Sequence, residues 1–458
     1  MKDHNFFVSL IIAASAIIGG VQNSGYADTP ENFVLRYQAE TKCENVSVVV
    51  LRNGEITYYG DNESLYQIGS MTKAFTGLAV QKLIYEGSVD EDGSVSDYIP
   101  RFSARYDSAN VDITVRELLE QKSGYTNNEK DYPPAAETMT LSEWADSISG
   151  RELQSVPGTE YAYSNVNYNL LGAVIENVSG MSYRNYMEKE ILAPLGLTHT
   201  FVGMPEDDRV LNGTRLGYRH VFEFPMTVKE ASIPAGYFYS DIKDMGRWLK
   251  VLSECCDVPE DLRKPLSDIK GYLKEEGDYY SGWELFADDV TGHSGGTPQF
   301  SSRIVFDERT RTGVCVLADL NVAATTDSLC NTIFDIESGR NPTGLENDIW
   351  TIFDRIFTGV TVIGIFLFIA ALRVKKRPLL IVLDVILAVL LVSVIIVFPL
   401  IFGAEMNEII FTWAPWSFAG GLLIFSIDIV EITVKLLMVN KYADHNKTGK
   451  RQAADGNN

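Results

Sequence analysis

The sequence is poor in basic residues. Lysine and arginine together number 39, against 61 aspartates and glutamates, and the chain of 458 residues carries a net charge of −22. Nucleic-acid binding needs a basic surface that neutralises phosphates. This balance therefore argues against nucleic acid as a partner, and the acidic excess is typical of a domain exposed to water.

Cysteine and histidine are scarce as well, with five residues of each. An odd number of cysteines at irregular spacing is not a disulfide framework. Cys315 and Cys330 suit either a bridge in an oxidising compartment or two buried thiols. Since there is no C-x-x-C pair and no His/Cys cluster to indicate zinc, we expect no metal and no cofactor.

The start of the chain has little charge. Lys2 is offset by Asp3, an apolar run follows over residues 6–18, and a small-residue site lies at Gly25-Tyr26-Ala27. This pattern predicts a signal peptide over residues 1–27, with an uncleaved anchor as the alternative. In either case the domain that follows is exported, to the periplasm or to the cell exterior.

Long apolar runs are otherwise absent until about residue 350, and three then follow, over 356–372, 379–402 and 409–439. Each can cross a hydrocarbon core, which needs roughly 20 apolar residues. We therefore expect a three-helix transmembrane domain over 350–440 and a cytoplasmic tail over 441–458.

Charge near these runs predicts their orientation. The loop 373–377 is basic, whereas the loop after the second run carries Glu405 and Glu408. Positive loops mark the cytoplasmic side, so the large domain is expected outside a multi-pass membrane anchor. Asp384 and Lys435 lie at similar depth and either pair or reach water separately; this pair indicates no ion pathway.

Residues 28–345 form one block without repeats. Apolar runs bounded by turn residues predict strands at both ends of the block, and helical spacing predicts helices between them. This order favours a mixed α/β fold whose terminal strands share one sheet. The predicted strands are 46–51, 56–59, 303–306 and 313–317, and the predicted helices are 74–86 and 167–176.

Ser70 and Lys73 form an S-x-x-K pair at the start of a predicted helix. Residues three apart share a helix face, so the amine can reach the hydroxyl. A serine hydroxyl is a weak nucleophile until a base takes its proton, and a lysine is that base only when its pKa is lowered. The alternative is a chance occurrence.

Two later motifs carry further candidate catalytic residues. Tyr163 and Asn165 follow a turn and precede a helix, where a tyrosinate beside a lysine ammonium can relay protons and an asparagine can bind an amide. His293 opens His-Ser-Gly-Gly, ending at Gly296, where a glycine-bearing edge strand can offer a backbone N–H to an oxyanion. Ordinary aromatic packing and a tight turn are the alternatives.

In this order, S-x-x-K, Y-x-N and H-x-G resemble the serine β-lactamase and penicillin-binding protein superfamily, on the class C side because the second motif begins with tyrosine. The resemblance covers roughly residues 40–335. It implies a β-lactamase/transpeptidase-like domain with an antiparallel sheet flanked by helices. Supporting stretches are 116–119 with Ser123-Gly124, 194–197, and 234–236 with Ser240, Asp241 and Trp248.

The resemblance also implies roles. Ser70 corresponds to the acylated nucleophile, Lys73 and Tyr163 to the acid/base pair, and the N–H groups of Ser70 and Gly296 to the oxyanion hole. His293 stands where β-lactamases carry the lysine that helps hold the drug carboxylate. Efficient β-lactam hydrolysis is therefore not expected.

A closer resemblance uses the whole chain. A signal peptide, a class C-like domain and three C-terminal helices are the plan of prodrug-activating peptidases of the colibactin-maturation type, and the stretches 69–77, 171–177, 300–302 and 413–415 are similar to theirs. Such enzymes remove an N-acyl-D-amino-acid cap from an exported natural product. The residues that differ around the implied cap pocket, and leave the cap residue open, are Asn165, Ser232, Thr297 and Gln299.

The resulting hypothesis is a membrane-anchored serine peptidase that acts through an acyl-enzyme on Ser70. The alternatives are a cell-wall D,D-carboxypeptidase or penicillin-binding protein, a class C-like esterase, and a non-catalytic receptor or membrane partner built on the same fold. Expected partners are a small-molecule or peptide substrate, with or without an N-acyl group, the lipid bilayer and, as one option, a second copy in a homodimer.

Overall fold

The computed structural model describes residues 29–127, 132, 136, 138–287 and 289–455. The predicted signal peptide lies outside these residues and stays a prediction. The chain divides into two compact units. One contains the described residues up to Arg215 together with those of 221–348, and the other contains Leu216–His220 and the described residues from Ile349 onward.

The first unit is built around a seven-stranded sheet with the order β10-β11-β12-β13-β14-β1-β2, in the numbering given below. Its neighbouring strands pair antiparallel. In chain order the strands are β1 (Val46–Arg52), β2 (Glu55–Gly60), β3 (Tyr66–Gln67), β4 (Ala104–Tyr106), β5 (Ala109–Val111), β6 (Thr200–Val202), β7 (Thr214–Gly217), β8 (His220–Glu223), β9 (Phe238–Ser240), β10 (Tyr279–Tyr280), β11 (Trp283–Ala287), β12 (Val290–Gly296), β13 (Ser301–Asp307) and β14 (Thr312–Ala318).

The first and last strands of this unit are neighbours, with Val49 of β1 opposite Cys315 of β14. This confirms the predicted α/β fold with terminal strands in one sheet. Val49 and Cys315 both point into the main hydrophobic core, because alternate residues of a strand face opposite sides of the sheet. On the other side the Cys330 thiol lies 3.5 Å from the carbonyl oxygen of Val314, and both cysteines are free thiols.

Helices pack around the sheet and around one central helix, α2. That helix is buried from Thr72 to Leu83, because it packs against α6, α9 and α11. In chain order the helices of this unit are α1 (Pro30–Thr41), α2 (Thr72–Tyr85), α3 (Val95–Tyr98), α4 (Val115–Leu119), α5 (Leu141–Ile148), α6 (Asn165–Ser179), α7 (Tyr183–Tyr186), α8 (Ala193–Leu195), α9 (Ile233–Gly236), α10 (Ile242–Leu252), α11 (Glu260–Glu275) and α12 (Ala323–Glu337).

Capping residues define where α6 begins and ends. The Ser164 hydroxyl accepts a hydrogen bond from the backbone N–H of Val166, and Gly180 closes the helix in the left-handed conformation. Serine is common at the start of a helix and glycine at its end, because each allows backbone groups that the helix leaves unpaired to form hydrogen bonds. The residue before Ser164, Tyr163, is thereby placed at the N-terminal end of α6, which packs beside α2.

In the second unit two helices are long and apolar enough to cross a membrane, α13 (Ile349–Arg373) and α14 (Arg377–Phe402). The third predicted stretch is interrupted. Helix α15 (Met406–Glu408) passes into a π-helical segment (Ile409–Trp413), and the chain restarts as α16 (Trp416–Asp455). Length and composition therefore support two of the three predicted spans.

The ion pair considered for Asp384 and Lys435 does not form. The Lys435 amine donates to the carbonyl oxygens of Ala371 and Leu372, near the end of α13. Asp384 instead accepts a hydrogen bond from the Thr433 hydroxyl at 3.1 Å. Each of the two charged side chains therefore forms hydrogen bonds with other residues.

Candidate active site

Ser70 lies in a tight turn just before α2. Gly69–Met71 form a 3-10 turn that leads into the helix, and Gly69 has a φ of +53°. A Cβ on Gly69 would lie 2.6 Å from the backbone nitrogen of Gly296, closer than side chains tolerate. Glycine at this position therefore lets the Ser70 turn approach the end of β12.

Lys73 places its amine beside the Ser70 hydroxyl, with Nζ 3.1 Å from Oγ. Two carbonyl oxygens contact the same amine, Asn165 Oδ1 at 2.7 Å and the backbone oxygen of Ala235 at 2.5 Å. A neutral amine has two N–H groups and one lone pair. When the two N–H groups donate to these carbonyl oxygens, the lone pair is left for the Ser70 proton.

The protonation states favour this arrangement. Lys73 is fully buried, and burial lowers the pKa of its amine well below the usual value because the ammonium form loses its hydration. Burial raises the pKa of Tyr163, although a hydrogen bond with Ser70 opposes the change. Burial therefore favours the neutral amine and the protonated phenol, whereas the sequence analysis considered an ammonium–tyrosinate pair.

Tyr163 is held between the amine and a second aromatic ring. The Lys73 Nζ lies 4.9 Å from the Tyr163 ring centroid, and Tyr279 packs edge-on against Tyr163 at 6.1 Å. The backbone N–H of Ser164 donates to Gln121 Oε1 at 3.0 Å, which fixes the chain next to Tyr163. The sequence analysis did not identify Gln121. Its position between the supporting stretches 116–119 and Ser123-Gly124 could have indicated it.

The end of β12 has an open edge. Strand β11 pairs with β12 only as far as Gly292, so the edge beyond it has no β11 partner among the described strands. The Ser302 hydroxyl donates to the carbonyl oxygen of Ile68 at 2.8 Å, which ties β13 to the segment before Ser70. The backbone N–H groups of Ser70 and Gly296 thus belong to adjoining segments, where an oxyanion could accept from both.

Solvent can reach this arrangement. Ser70 and Tyr163 are half-buried, while Asn165 and Gly296 are exposed. The reactive hydroxyl therefore stands at the boundary between the buried Lys73 amine and the surface. A substrate can approach from the exposed side without displacing the amine.

His293 is buried and neutral. Its Nδ1 lies 2.6 Å from the carbonyl oxygen of Ser294, and its Nε2 lies 3.5 Å from the Tyr279 hydroxyl and 3.9 Å from a Glu284 carboxylate oxygen. Burial is the main cause that lowers the pKa of His293 to about 3. The imidazole consequently offers no positive charge to a substrate carboxylate. Sequence reasoning also missed Glu284.

The other predicted substrate-binding residues shape the surroundings. The Thr297 hydroxyl accepts from the backbone N–H of Phe300 at 3.1 Å, and Gln299 donates to the carbonyl oxygen of Phe224 at 3.2 Å. Both side chains are buried. Ser232 lies at the start of α9. Contact between these three residues and a substrate stays a prediction.

One group in the described part of the chain brings possible metal ligands together. Ligand atoms of His199, Asp241 and Asp244 lie within 4.8 Å of one another. These atoms already serve the fold, since Asp241 accepts from the N–H of Asp244 at 2.8 Å and Asp244 from that of His199 at 2.7 Å. Arg209 also lies 3.7 Å from Asp241. We therefore assign no metal to this group.

Fold and site together define a serine hydrolase of the β-lactamase-related class. The Beta-lactamase family model matches residues 31–332. The chain therefore belongs to the β-lactamase family, within the β-lactamase/transpeptidase-like superfamily.

Sequence relatives include Protein flp of Staphylococcus aureus, which is 32% identical over 298 residues, covering 60% of this chain and 59% of that protein. A putative D-alanyl-D-alanine carboxypeptidase of Escherichia coli is 35% identical over 149 residues, covering 30% of this chain and 33% of that protein. The chain thus spans about three fifths of the length of the staphylococcal relative.

Solved structures with the same fold include the octameric penicillin-binding protein homologue from Pyrococcus abyssi, at 24% identity and a TM-score of 0.59, covering 72% of this chain and 80% of that chain. A class C β-lactamase has 17% identity and a TM-score of 0.58, covering 68% and 95%. At these identities the likeness shows the fold alone.

We expect His293 to contribute nothing to the pH dependence of hydrolysis. Because the pKa of His293 is lowered to about 3, its imidazole stays neutral between about pH 5 and 8, where an ordinary histidine titrates. Profiles of kcat/KM against pH for the wild type and for His293→Gln should have the same shape. A limb near pH 6.5 that only the wild type shows would contradict this.

Proposed function

We propose that this chain is a membrane-anchored serine peptidase that removes an N-acyl-D-amino-acid cap from a secreted natural-product precursor. The observation that supports this chemistry is the position of the Lys73 amine. Two carbonyl oxygens contact the amine nitrogen, and the Ser70 hydroxyl oxygen lies 3.1 Å from it. That contact turns an ordinary hydroxyl into a nucleophile.

The reaction follows from these contacts. Ser70 Oγ attacks the amide carbonyl while Lys73 takes its proton, and the backbone N–H groups of Ser70 and Gly296 stabilise the oxyanion. The C–N bond then breaks, with Tyr163 giving its proton to the leaving amine and recovering one from the Lys73 ammonium. Water, activated by the same amine, hydrolyses the acyl-enzyme and restores Ser70.

The surroundings of the site favour a leaving group without a free carboxylate. His293 is neutral, and Glu284 lies 3.9 Å from its Nε2. Arg303 on β13 is engaged with Ser294 at 2.6 Å and Asp327 at 3.3 Å. A carboxylate on the leaving side therefore meets negative charge, whereas the neutral or cationic amine of a natural product does not.

Membrane attachment is part of the proposal. Helices α13 and α14 supply two spans by length and composition, and we propose α16 as the third. The basic loop 373–377 would then face the cytoplasm and the hydrolase domain the outside. Anchoring at the bilayer suits a substrate whose fatty acyl tail sits in lipid.

The test is a panel of three substrates for the purified full-length protein. It compares an N-acyl-D-amino-acid amide, its L-enantiomer, and the same acyl-D-residue joined to D-alanine with a free carboxylate. We expect the D-amide to exceed the L-amide in kcat/KM by at least about tenfold. It should exceed the carboxylate substrate by about fivefold, the ratio that corresponds to about 1 kcal/mol of repulsion between the Glu284 carboxylate and that of the substrate.

A matched pair of variants checks the role of charge in this panel. Glu284→Gln should narrow the gap between the amide and the carboxylate substrate, while Glu55→Gln on exposed β2 should leave it unchanged. Equal rates on the two enantiomers would contradict the cap-removal proposal. A preference for the carboxylate substrate would favour the rival carboxypeptidase function, which the Escherichia coli relative's description suggests.

A further inference from the structure

Ionisable side chains line one face of α16. Asp428, Glu431 and Lys435 are spaced three and four residues apart, so they share a helix face. Counted from Trp416 at a rise of about 1.5 Å per residue, Asp428 lies about 18 Å along the helix. In the proposed third span, this depth is near the middle of a hydrocarbon core of about 30 Å; that placement rests on the proposed function.

Asp428 is buried inside the second unit without a polar partner. Its side chain is 1% exposed, and neither carboxylate oxygen has a hydrogen-bond partner among the described residues. Gly364 of α13 faces it, and a Cβ on this glycine would lie 3.4 Å from Asp428 Oδ2. The closest contact of such a Cβ would be with Ile424, at 2.7 Å, so the glycine lets α13 approach α16 beside Asp428.

Glu431 lies one turn further along the same face. Both of its carboxylate oxygens also have no hydrogen-bond partner in the described part of the chain. The Lys435 amine donates to the carbonyl oxygens of Ala371 and Leu372. Two neighbouring carboxylates thus have no hydrogen-bond donor among the described residues.

Other acids of this unit show that the arrangement is unusual within it. Asp354 accepts a hydrogen bond from the Ser417 hydroxyl at 2.6 Å, and Asp384 accepts one from Thr433 at 3.1 Å through one of its two oxygens. A buried charge is normally paired or bound to an ion, because it has lost its hydration. Asp428 and Glu431 have no hydrogen-bond partner among the described residues, so a bound ion is the arrangement that would stabilise them.

Charge indicates what kind of ion fits. Two carboxylates and the ammonium of Lys435 on the same face sum to one negative charge, which one monovalent cation neutralises. Carboxylate oxygens are the ligands that hard cations prefer. Intramembrane carboxylates that face a helix bundle also commonly mark ion or proton sites.

We propose that Asp428 and Glu431 form a binding site for one small monovalent cation, an alkali-metal ion or a proton, between α16 and α13. The site shares no residue with the hydrolase centre.

The experiment measures the reactivity of these carboxyl groups in the full-length protein in liposomes. The probe is dicyclohexylcarbodiimide, which modifies carboxyl groups in apolar surroundings, and peptide mass spectrometry locates the adduct. We compare sodium chloride, lithium chloride and choline chloride at equal ionic strength and fixed pH, and then vary pH in choline chloride alone. We expect an adduct on Asp428 or Glu431 in choline chloride.

Each outcome decides the proposal. A several-fold lower yield in sodium or lithium than in choline supports an alkali-metal site. A yield that changes with pH alone, with a midpoint well above the ordinary carboxyl value of about 4, supports a proton site. A yield that depends on neither, or no adduct on either residue, overturns the proposal. Asp428→Asn and Glu431→Gln should each reduce the total yield, whereas Asp384→Asn, on α14, should not.

Two controls separate this result from the proposed peptidase. Ser70→Ala should label like the wild type, because its substitution lies outside the membrane helices. Asp428→Asn should hydrolyse a soluble amide at the wild-type rate. Cation-dependent labelling with no peptidase activity would therefore leave the cation site standing while the proposed function fails.

Discussion

Ser70→Ala should abolish hydrolysis, with a loss of kcat/KM on the order of 10⁴-fold or more, as is typical when the nucleophile of an acyl-enzyme is removed. The reason is that the hydroxyl forms the bond to the acyl group, and neither Lys73 nor Tyr163 can replace it. The measurement is turnover of an acyl-D-amide by the purified variant, together with labelling by a fluorophosphonate probe. The wild type should label and the variant should not.

The variant must remain folded for this result to carry weight. Ser70 is half-buried, and alanine in its place leaves α2 and its packing intact, so thermal unfolding should shift little. Ser96→Ala, a change of the same kind in helix α3, should keep both turnover and labelling. Wild-type turnover by a folded Ser70→Ala protein would refute the assignment of the nucleophile, and with it the acyl-enzyme.

Local spacing was enough to predict the pairing of Ser70 with Lys73, because three residues along a helix bring two side chains to one face. The shared sheet followed from buried strands at both ends of the domain, and the structure places Val49 opposite Cys315. These predictions depend on short-range geometry and on hydrophobic pattern. Both can be read from one sequence.

The remaining parts of the site depend on tertiary contacts. The backbone oxygen of Ala235 contacts Lys73 from 162 residues away, and every residue carries such an oxygen, so no sequence pattern marks this one. Glu284 lies near His293 because β11 pairs with β12 and the cross-strand partner of Glu284, Gly292, directly precedes His293. The position of Glu284 beside His293 could not be predicted without this register, and the burial that keeps His293 neutral likewise depends on tertiary packing.

The membrane helices show the same limit. Hydropathy identified α13 and α14, but the break after Trp413 and the orientation of Asp428 depend on packing. From the sequence, the polar pair of interest was Asp384 with Lys435. The structure gives each of these side chains its own partners and leaves other carboxylates without one.

Lys73→Met should lower kcat/KM by about 10² to 10⁴-fold, the usual contribution of a general base. Methionine has similar length and no proton-accepting nitrogen, so the Ser70 hydroxyl keeps its place but loses the group that deprotonates it. The carbonyl oxygen of Ala235 loses a donor at the same time. The buried amine, which pays a desolvation cost, is also removed, so we expect a small net change in stability.

The pH profile distinguishes a lost base from a disturbed fold. Because burial lowers the pKa of Lys73, wild-type kcat/KM should rise as pH increases through that lowered value, where the amine becomes neutral, and this limb should vanish in Lys73→Met. Lys82→Met is the matched control. Lys82 lies on the same helix, with its amine paired to Glu86 and Asp261, so its loss should affect stability and leave the limb in place. An unchanged limb in Lys73→Met would mean that another group takes the Ser70 proton, and the neutral-amine mechanism would be wrong.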